Sequence, residues 1–420
     1  MIEIKNGISL SVDDVNLIKT NSQEMYEGAI FIAINSGNRF VKQALESGAK
    51  YVICEHTECV DERVIVVENS LATFTQIARW YRDQINPKVI AITGSNGKTS
   101  VKDILALCLK DTFKVHKTAG NYNNHIGVPI TVCSMPKECE ILIAELGMSG
   151  FGEIDHLASI VKPDIGIITN IGESHLEMLK TKENVLKAKA EIISHSKKVV
   201  INSDDMYLAS LNGEFLKFSI KIPSDFMALN IEKKSGMTVF ELLSGERVET
   251  NLMGTHNVYN ILAALRVCKE LGILDISKLE ILKSLEISKM RMEKSLYRGA
   301  QIINDAYNAS PKSTSAAIET VCEYYPNQEK IFILGDMLEL GEQECEFHRE
   351  IIEKVAQLNI KRVYFYGERY YQFYQEFESD TLKFSLEKHW IQDELNAVVN
   401  ENSVVLLKGS RGMKLEEILK

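Results

Sequence analysis

The sequence predicts an α/β protein of three domains: a small N-terminal α/β unit, a central P-loop-type domain whose mostly parallel sheet carries helices on both faces, and a C-terminal Rossmann-like α/β domain. Three observations predict it. From Lys88 onward, apolar β-branched runs alternate with amphipathic helical patterns, the rhythm of parallel strands joined by crossover helices. A glycine loop ending in Lys98-Thr99 stands between the first of these strands and its helix. A second strand–helix rhythm begins near residue 296.

In chain order, residues 1–85 form the first unit. Residues 28–34 read as a strand after a turn, 39–47 as a helix stopped at Gly48, 51–53 as a strand and 71–81 as a closing helix. Asn86-Pro87 marks the boundary, because a residue before proline is biased away from helix. The central unit, 86–288, is expected to hold strands at 89–93, 113–116, 140–145, 164–170 and 198–202, with helices at 99–110, 153–161 and 182–193. Residues 213–252 read as a β insert, and 255–271 as a helix stopped by Gly272. In the last unit, 289–420, strands are expected at 300–304, 330–334, 362–366 and 403–408, and helices at 311–325 and 343–358.

Bulk properties exclude some functions. With 420 residues and a net charge of −10, the chain is no general polyanion binder, since nucleic-acid binding wants a basic face. No apolar run approaches the ~20 residues of a membrane-spanning helix, and the N-terminus reads as no secretory signal. Eight cysteines without CxxC pairs fit a reduced, cytoplasmic protein, with Cys108 and Cys268 as small core residues.

The segment Val89-Ile90-Ala91-Ile92-Thr93-Gly94-Ser95-Asn96-Gly97-Lys98-Thr99-Ser100 is a phosphate cradle by its own chemistry. Glycines let backbone N–H groups approach anionic oxygens, and the helix start adds partial positive charge. Lys98 would reach the outer phosphates of a nucleotide and the Thr99 hydroxyl a Mg²⁺ ion. The strict motif has a glycine where this chain has Ile92, so the structural context carries the reading. Thr93-Gly94, Ala144-Glu145 and Thr169-Asn170 all fall at carboxyl ends of strands, where open α/β sheets bind ligands.

Glu145 is there either a Mg²⁺ ligand or an ordinary exposed acid. His175 lies in a loop past a strand, where a lone histidine is as readily structural as metal-binding. Lys187 and Lys189 read, by residue chemistry, as a solvated helix face. The loop 118–129, with Asn121, Asn123 and Asn124, is rich enough in amides to bind or to cap. Asn304-Asp305-Ala306-Tyr307-Asn308-Ala309-Ser310-Pro311 closes a strand and opens a helix, Ser310 being a sufficient N-cap and the polar surplus before it suggesting a site. Lys408-Gly409-Ser410-Arg411 ends an apolar strand with two cations able to meet an anion.

Ten ordered blocks, TGSNGKTS, GNYNNHIGVPIT, AELGMSGFGEI, ITNIGESHLE, KAKAEI, GTHNVYNILAA, RME at Arg291, INDAYNASPKS, LGDMLELGE and LLKGSRGMK, resemble the Mur ligase superfamily over essentially the whole chain. The last three favour its branch that adds D-Ala-D-Ala to UDP-MurNAc-tripeptide. The resemblance implies an ATP-dependent, ADP-forming peptide ligase of cell-wall precursor synthesis that works through an acyl phosphate with two Mg²⁺ ions. It implies that Gly94, Ser95, Asn96, Gly97, Lys98, Thr99 and Ser100 cradle ATP, that Asn257 and Asn260 contact the nucleotide, and that Arg291 and Asp305 approach it from the third domain. Thr99 and Glu145 would hold the first ion and His175 the second; Lys189 matches a position carrying a carbamate formed with CO2, which reverses the surface reading. Lys98, Lys189, His175 and Arg291 would be catalytic, Asn308, Lys408 and Arg411 would hold the dipeptide, and Ser22, Asn121, Asn123 and Asn124 would also contact substrate, the substrates being the UDP-linked muramoyl tripeptide and D-Ala-D-Ala. A monomer acting on small molecules, with no nucleic-acid or membrane partner, is expected.

The first unit departs from the family pattern. Where an Asp/Thr-Ser-Arg triplet and an Asp-Gly-His loop are expected, this chain has Asn21-Ser22-Gln23 and a shortened Asn35-Ser36-Gly37-Asn38-Arg39-Phe40. A relative ligating another acyl donor therefore stays open as an alternative, with a folylpolyglutamate-synthase-like ligase and a non-catalytic nucleotide-binding scaffold behind it.

Overall fold

A computed structural model describes residues 1–5, 7–234, 236–285 and 289–420. The expected boundary at residue 288 falls outside them.

The centre of the molecule is a six-stranded parallel sheet. Its strands lie side by side in the order Leu216–Phe218, Lys198–Asn202, Ile165–Ile168, Lys88–Thr93, Ile141–Glu145, Val115–Lys117. Lys88–Thr93 is first in sequence yet lies in the interior, with chain winding away on either side. Its carboxyl end is thus a topological switch point, where neighbouring connections diverge and leave a crevice. The strand is buried from Val89 to Thr93, as a doubly covered parallel strand must be. Helix Lys98–Leu109 covers one face together with Thr255–Glu270, and Glu153–Val161 and Lys182–Ala190 cover the other.

The first unit carries a parallel four-stranded sheet, Ile18–Lys19, Ile30–Ile32, Tyr51–Cys54 and Val64–Val66, and shares a core with the centre. Phe74, Ile77, Ala78 and Tyr81 of helix Ser70–Ile85 pack in one apolar cluster with Val128, Val132 and Met135, and the Tyr81 hydroxyl donates to Met135 O at 2.7 Å. The expected helix at 39–47 begins instead as a 3₁₀ turn, Asn35–Phe40, before Val41–Glu46. Asn35, at φ 54°, reverses the chain there.

The β insert is a three-stranded antiparallel sheet, Ala228–Lys234, Met237–Leu242 and Arg247–Thr250. It leans on the last unit, the Thr238 and Tyr324 hydroxyls sharing a 2.6 Å hydrogen bond. That unit holds a second six-stranded sheet in which Ala300–Asn304, Ser403–Lys408, Glu329–Gly335, Arg362–Tyr366 and Leu382–Ser385 run parallel. Glu293–Tyr297 adds an antiparallel edge. This edge, strand Leu382–Ser385 and helix Lys388–Val398 are absent from the sequence reading: Glu293–Tyr297 is a mixed-polarity edge with little apolar alternation to find. Among the described residues no helix is long and apolar enough to cross a membrane.

Candidate active site

The carboxyl ends of the central strands and the facing edge of the last unit enclose a cavity of about 750 Å³. Its central wall begins with the phosphate loop. Gly97 sits at φ 85°, and a Cβ there would lie 2.3 Å from Asn260 Oδ1, so only glycine lets the loop pack onto helix Thr255–Glu270. The loop is braced from the next strand end: Asn96 N donates to Asn170 Oδ1 at 3.1 Å, while Thr169 Oγ1 and Asn170 Nδ2 donate to Asn96 O. Asn257 Nδ2 donates to Met253 O at 2.8 Å and Asn260 Nδ2 to Asn257 Oδ1 at 3.0 Å, which orders both amides beneath the loop.

Lys98 folds back so that Nζ donates to Gly94 O at 2.8 Å. Burial, and then Arg291, lower its pKa against the pull of Glu145. Thr99 Oγ1 donates to Glu145 Oε2 at 3.0 Å and accepts from Arg291 Nη2 at 2.9 Å. Asn123 Nδ2 donates to Glu145 Oε1 at 3.0 Å, and the buried Lys102 Nζ stands 3.7 Å from Glu145 Oε2. Glu145 is only 3 % exposed, which rules out the reading of an ordinary exposed acid. The amide-rich loop does both things open to it: Asn123 reaches Glu145, while Asn124 Oδ1 accepts from Ile126 N and Gly127 N at the start of helix Gly127–Cys133.

His175 lines the same cavity in a left-handed conformation, φ 58°. Burial first, then Lys189 and Lys98, push its pKa down to about 3, so the imidazole is neutral at pH 7 and keeps a free lone pair. Lys189 is 1 % exposed, and burial, then Lys98, hold its pKa well below the usual lysine value. The solvated-face reading is therefore corrected for Lys189 and stands for Lys187, which is exposed. Two residues apart on a helix they point to opposite sides, so one entered the core and the other the solvent.

The facing wall comes from the last unit. Arg291 stacks on the Tyr307 ring, 4.3 Å from its centroid, and its Nη2 bridges the cavity to Thr99. Lys408 Nζ donates to Asp305 Oδ2 at 2.7 Å and to Asn308 O at 2.7 Å, while Met292 N donates to Asp305 Oδ1 at 3.1 Å. Lys408 thus fixes the turn that carries Asn308 and, through Asp305, the segment that carries Arg291. Ser310 caps helix Pro311–Tyr324 as its position suggested.

Of the residues singled out in the sequence, Ser95 to Ser100, Asn121, Asn123, Asn124, Glu145, His175, Asn257, Asn260, Arg291, Asp305, Asn308, Lys408 and Arg411 line this one cavity. Gly94 and Lys189 stand behind the wall, Gly94 accepting from Lys98 and Lys189 lying within electrostatic reach of Lys98 and His175. Ser22 is elsewhere, buried in the 3₁₀ turn Ser22–Glu24 of the first unit. Sequence reasoning missed Asp204, Tyr259, Lys312 and Glu339, which also line the cavity. Asp204 carries a signal in the sequence: it follows strand Lys198–Asn202, at another carboxyl end of the same sheet. There it accepts from the Ile220, Lys221 and Ile222 amides and from the Tyr259 hydroxyl.

Comparison with known proteins agrees with this geometry. The Mur ligase middle domain matches residues 92–268, and the Mur ligase, glutamate ligase domain matches 290–411. The UDP-N-acetylmuramoyl-tripeptide–D-alanyl-D-alanine ligase of Bacillus subtilis (strain 168) is 35 % identical over 96 % of this chain and 92 % of its own length. Among solved structures, MurF from Thermotoga maritima in complex with ADP is 31 % identical with a TM-score of 0.88, covering 97 % of both chains. MurF from Acinetobacter baumannii is 27 % identical with a TM-score of 0.88, covering 96 % of this chain and 92 % of that one. The chain belongs to the Mur ligase family, within its UDP-N-acetylmuramoyl-tripeptide–D-alanyl-D-alanine ligase branch.

Proposed function

We propose that this chain is an ATP-dependent, ADP-forming ligase that adds D-Ala-D-Ala to UDP-MurNAc-tripeptide in peptidoglycan precursor synthesis. The observation that carries the proposal is the meeting of Lys98, Thr99, Glu145, His175 and Arg291 around one cavity at the switch point of the central sheet. A bare carboxylate is a poor electrophile. Transfer of the γ-phosphoryl group of ATP to it supplies a leaving group, the amine attacks the carbonyl carbon, and the tetrahedral intermediate expels phosphate.

The phosphate loop amides and Lys98 would bind and orient the phosphates, with Arg291 closing from the other wall. The donor set fits magnesium: Thr99 Oγ1 and Glu145 Oε2, 3.0 Å apart, are the oxygen ligands it prefers beside phosphates and water. Among the described residues no three His, Cys, Asp or Glu side chains form a metal cluster, so substrate phosphates would complete the first site and His175 would contribute to a second. Bound there, the ions would neutralise charge on the transferring phosphoryl group. A neutral amine is what CO2 adds to, and Lys189, buried with its pKa lowered, meets that requirement for a carbamate. Asn308, the turn held by Lys408, and Arg411 would receive the dipeptide.

We also divide the chain into a substrate-binding unit, 1–85, an ATP-binding unit, 86–288, and a ligase unit, 289–420. The first would take the UDP group near Ser22, and Asn121, Asn123 and Asn124 the muramoyl peptide. A monomer in a cytoplasmic setting is the working state we infer, in keeping with eight cysteines that are all free thiols. A second reading keeps the chemistry and changes the acyl donor, because the shortened loop of the first unit is tied down at the end of strand Tyr51–Cys54 by Asn38, whose Oδ1 accepts from Glu55 N at 3.0 Å.

Phosphate release, measured with each substrate omitted in turn, tests both. Turnover that needs ATP, D-Ala-D-Ala and UDP-MurNAc-tripeptide together is expected. Turnover only with another donor selects the second reading, and tight ATP binding without any turnover refutes the ligase.

A further inference from the structure

We propose that Glu339 binds the amino group of the incoming dipeptide; the inference rests on the ligase reading above and names the residue that receives the nucleophile. An amine that is to attack an acyl phosphate arrives as an ammonium ion. It needs an anionic partner at the place of reaction, on the wall from which it approaches.

Among the described residues six carboxylates line the cavity: Glu145, Glu153, Asp204, Asp205, Asp305 and Glu339. Five are already engaged. Glu145 takes Thr99 and Asn123, and Glu153 Oε2 accepts from Ser149 N at 3.0 Å. Asp204 holds three backbone amides and Tyr259. Asp205 caps helix Met206–Ala209 and accepts from Ile171 N, and Asp305 pairs with Lys408. Glu339 alone has no hydrogen bond and no lysine or arginine partner among the described residues. His175 faces it across the cavity, Nδ1 to Oε2 3.5 Å, and its side chain is 67 % exposed.

The backbone is built to aim this side chain. Glu339 lies at φ 65°, a conformation that residues other than glycine seldom adopt and that persists only where its surroundings over-determine it. They do so here. Met337 N donates to Nε2 of the buried His348 at 3.0 Å, and Leu338 N donates to Ser410 Oγ at 2.9 Å. Ser410 N returns a bond to Asp336 O at 3.0 Å. On the far side Gly341 rests against the opposite wall, where a Cβ would lie 3.1 Å from Glu177 Cα. A segment pinned before and after thus presents one free carboxylate beside His175, where the central and last units meet. The dipeptide ammonium would donate to it; after loss of one proton to solvent the nitrogen forms the C–N bond, its second proton leaves with the phosphate, and the C–O bond breaks.

The test compares the full-length protein with Glu339→Gln and Glu339→Asp. In Glu339→Gln the KM for D-Ala-D-Ala should rise about ten- to a hundredfold, the range of a charged hydrogen bond. The KM values for ATP and the UDP-linked donor, and the Mg²⁺ half-saturation, should stay put. Glu339→Asp should recover part of the loss. Hydroxylamine, largely uncharged near neutral pH, should trap the acyl phosphate equally well in wild type and Glu339→Gln. An unchanged dipeptide KM overturns the proposal, as does an equal loss with hydroxylamine or a shifted Mg²⁺ requirement, which would make Glu339 a partner of His175 only. Wild type is measured alongside, so failure of wild type to use the dipeptide at all counts against the ligase reading, whereas a normal wild type with an indifferent variant counts against Glu339 alone.

Discussion

The two walls of the cavity are held in different ways. On the central side Thr99 and Glu145, with Lys189 behind them, are nearly sealed from solvent, and each bonds or faces a charged group of the same unit. On the facing wall Glu339 and Arg411 are largely open, with side chains 67 % and 49 % exposed. Burial strengthens electrostatic interactions and removes the reorganisation that water would impose, so the central wall suits charge development during phosphoryl transfer. Exposed groups on a docked unit suit capture of a small zwitterion and closure over it. Arg291 joins the two walls. The difference assigns kcat effects to the first wall and KM effects to the second, and it can be broken by variants on either side.

The largest effect is expected from Lys98→Met. Loss of kcat on the order of a thousandfold, with circular dichroism and melting temperature little changed, is the predicted outcome of a steady-state assay; an unchanged rate would remove the phosphate loop from the chemistry. Next comes Lys189→Ala, for which we expect roughly a hundredfold lower kcat and partial rescue by added chloride or short carboxylates. A variant as active as wild type would return Lys189 to a packing role. Arg291→Ala should sharpen the comparison, because it removes both the Tyr307 stack and the Thr99 bridge: about a tenfold rise in KM for ATP is expected from isothermal or kinetic titration.

The smallest effect is on stability. His348, buried behind the facing wall, accepts from Met337 N and has its pKa pushed down to about 4 by burial. Its native pKa lies below the unfolded value of about 6.5, so the unfolded chain binds the extra proton first. Stability contributed by neutral His348 is present above pH ~6.5 and falls as pH drops towards ~4. Urea melts across that window should show the fall in wild type and a flatter profile in His348→Gln.

The contrast also explains what could be read from the sequence. The central wall was legible where function lies in contiguous residues: a strand, two glycines, Lys98 and Thr99 specify their own loop. Glu145 was found by its place at a strand end. Lys189 was not distinguishable from Lys187 by residue chemistry, because a helix face becomes core or surface only when the rest of the fold is laid against it. Lys102, one turn after Lys98, is hidden for the same reason. On the facing wall Glu339 owes its position to a left-handed backbone fixed by His348 and Ser410, partners remote in sequence or buried, and a glutamate carries no local signal for such a conformation. The helix at 344–356 and the strands on either side were readable from periodicity, whereas Glu293–Tyr297 was not.

The most direct test of the acyl-phosphate account follows one oxygen atom. UDP-MurNAc-tripeptide carrying heavy oxygen in its terminal carboxylate is incubated with ATP, D-Ala-D-Ala and the protein, and the released phosphate is weighed by mass spectrometry. Transfer of one heavy oxygen to phosphate in each turnover is predicted; phosphate that stays unlabelled while product forms would contradict it.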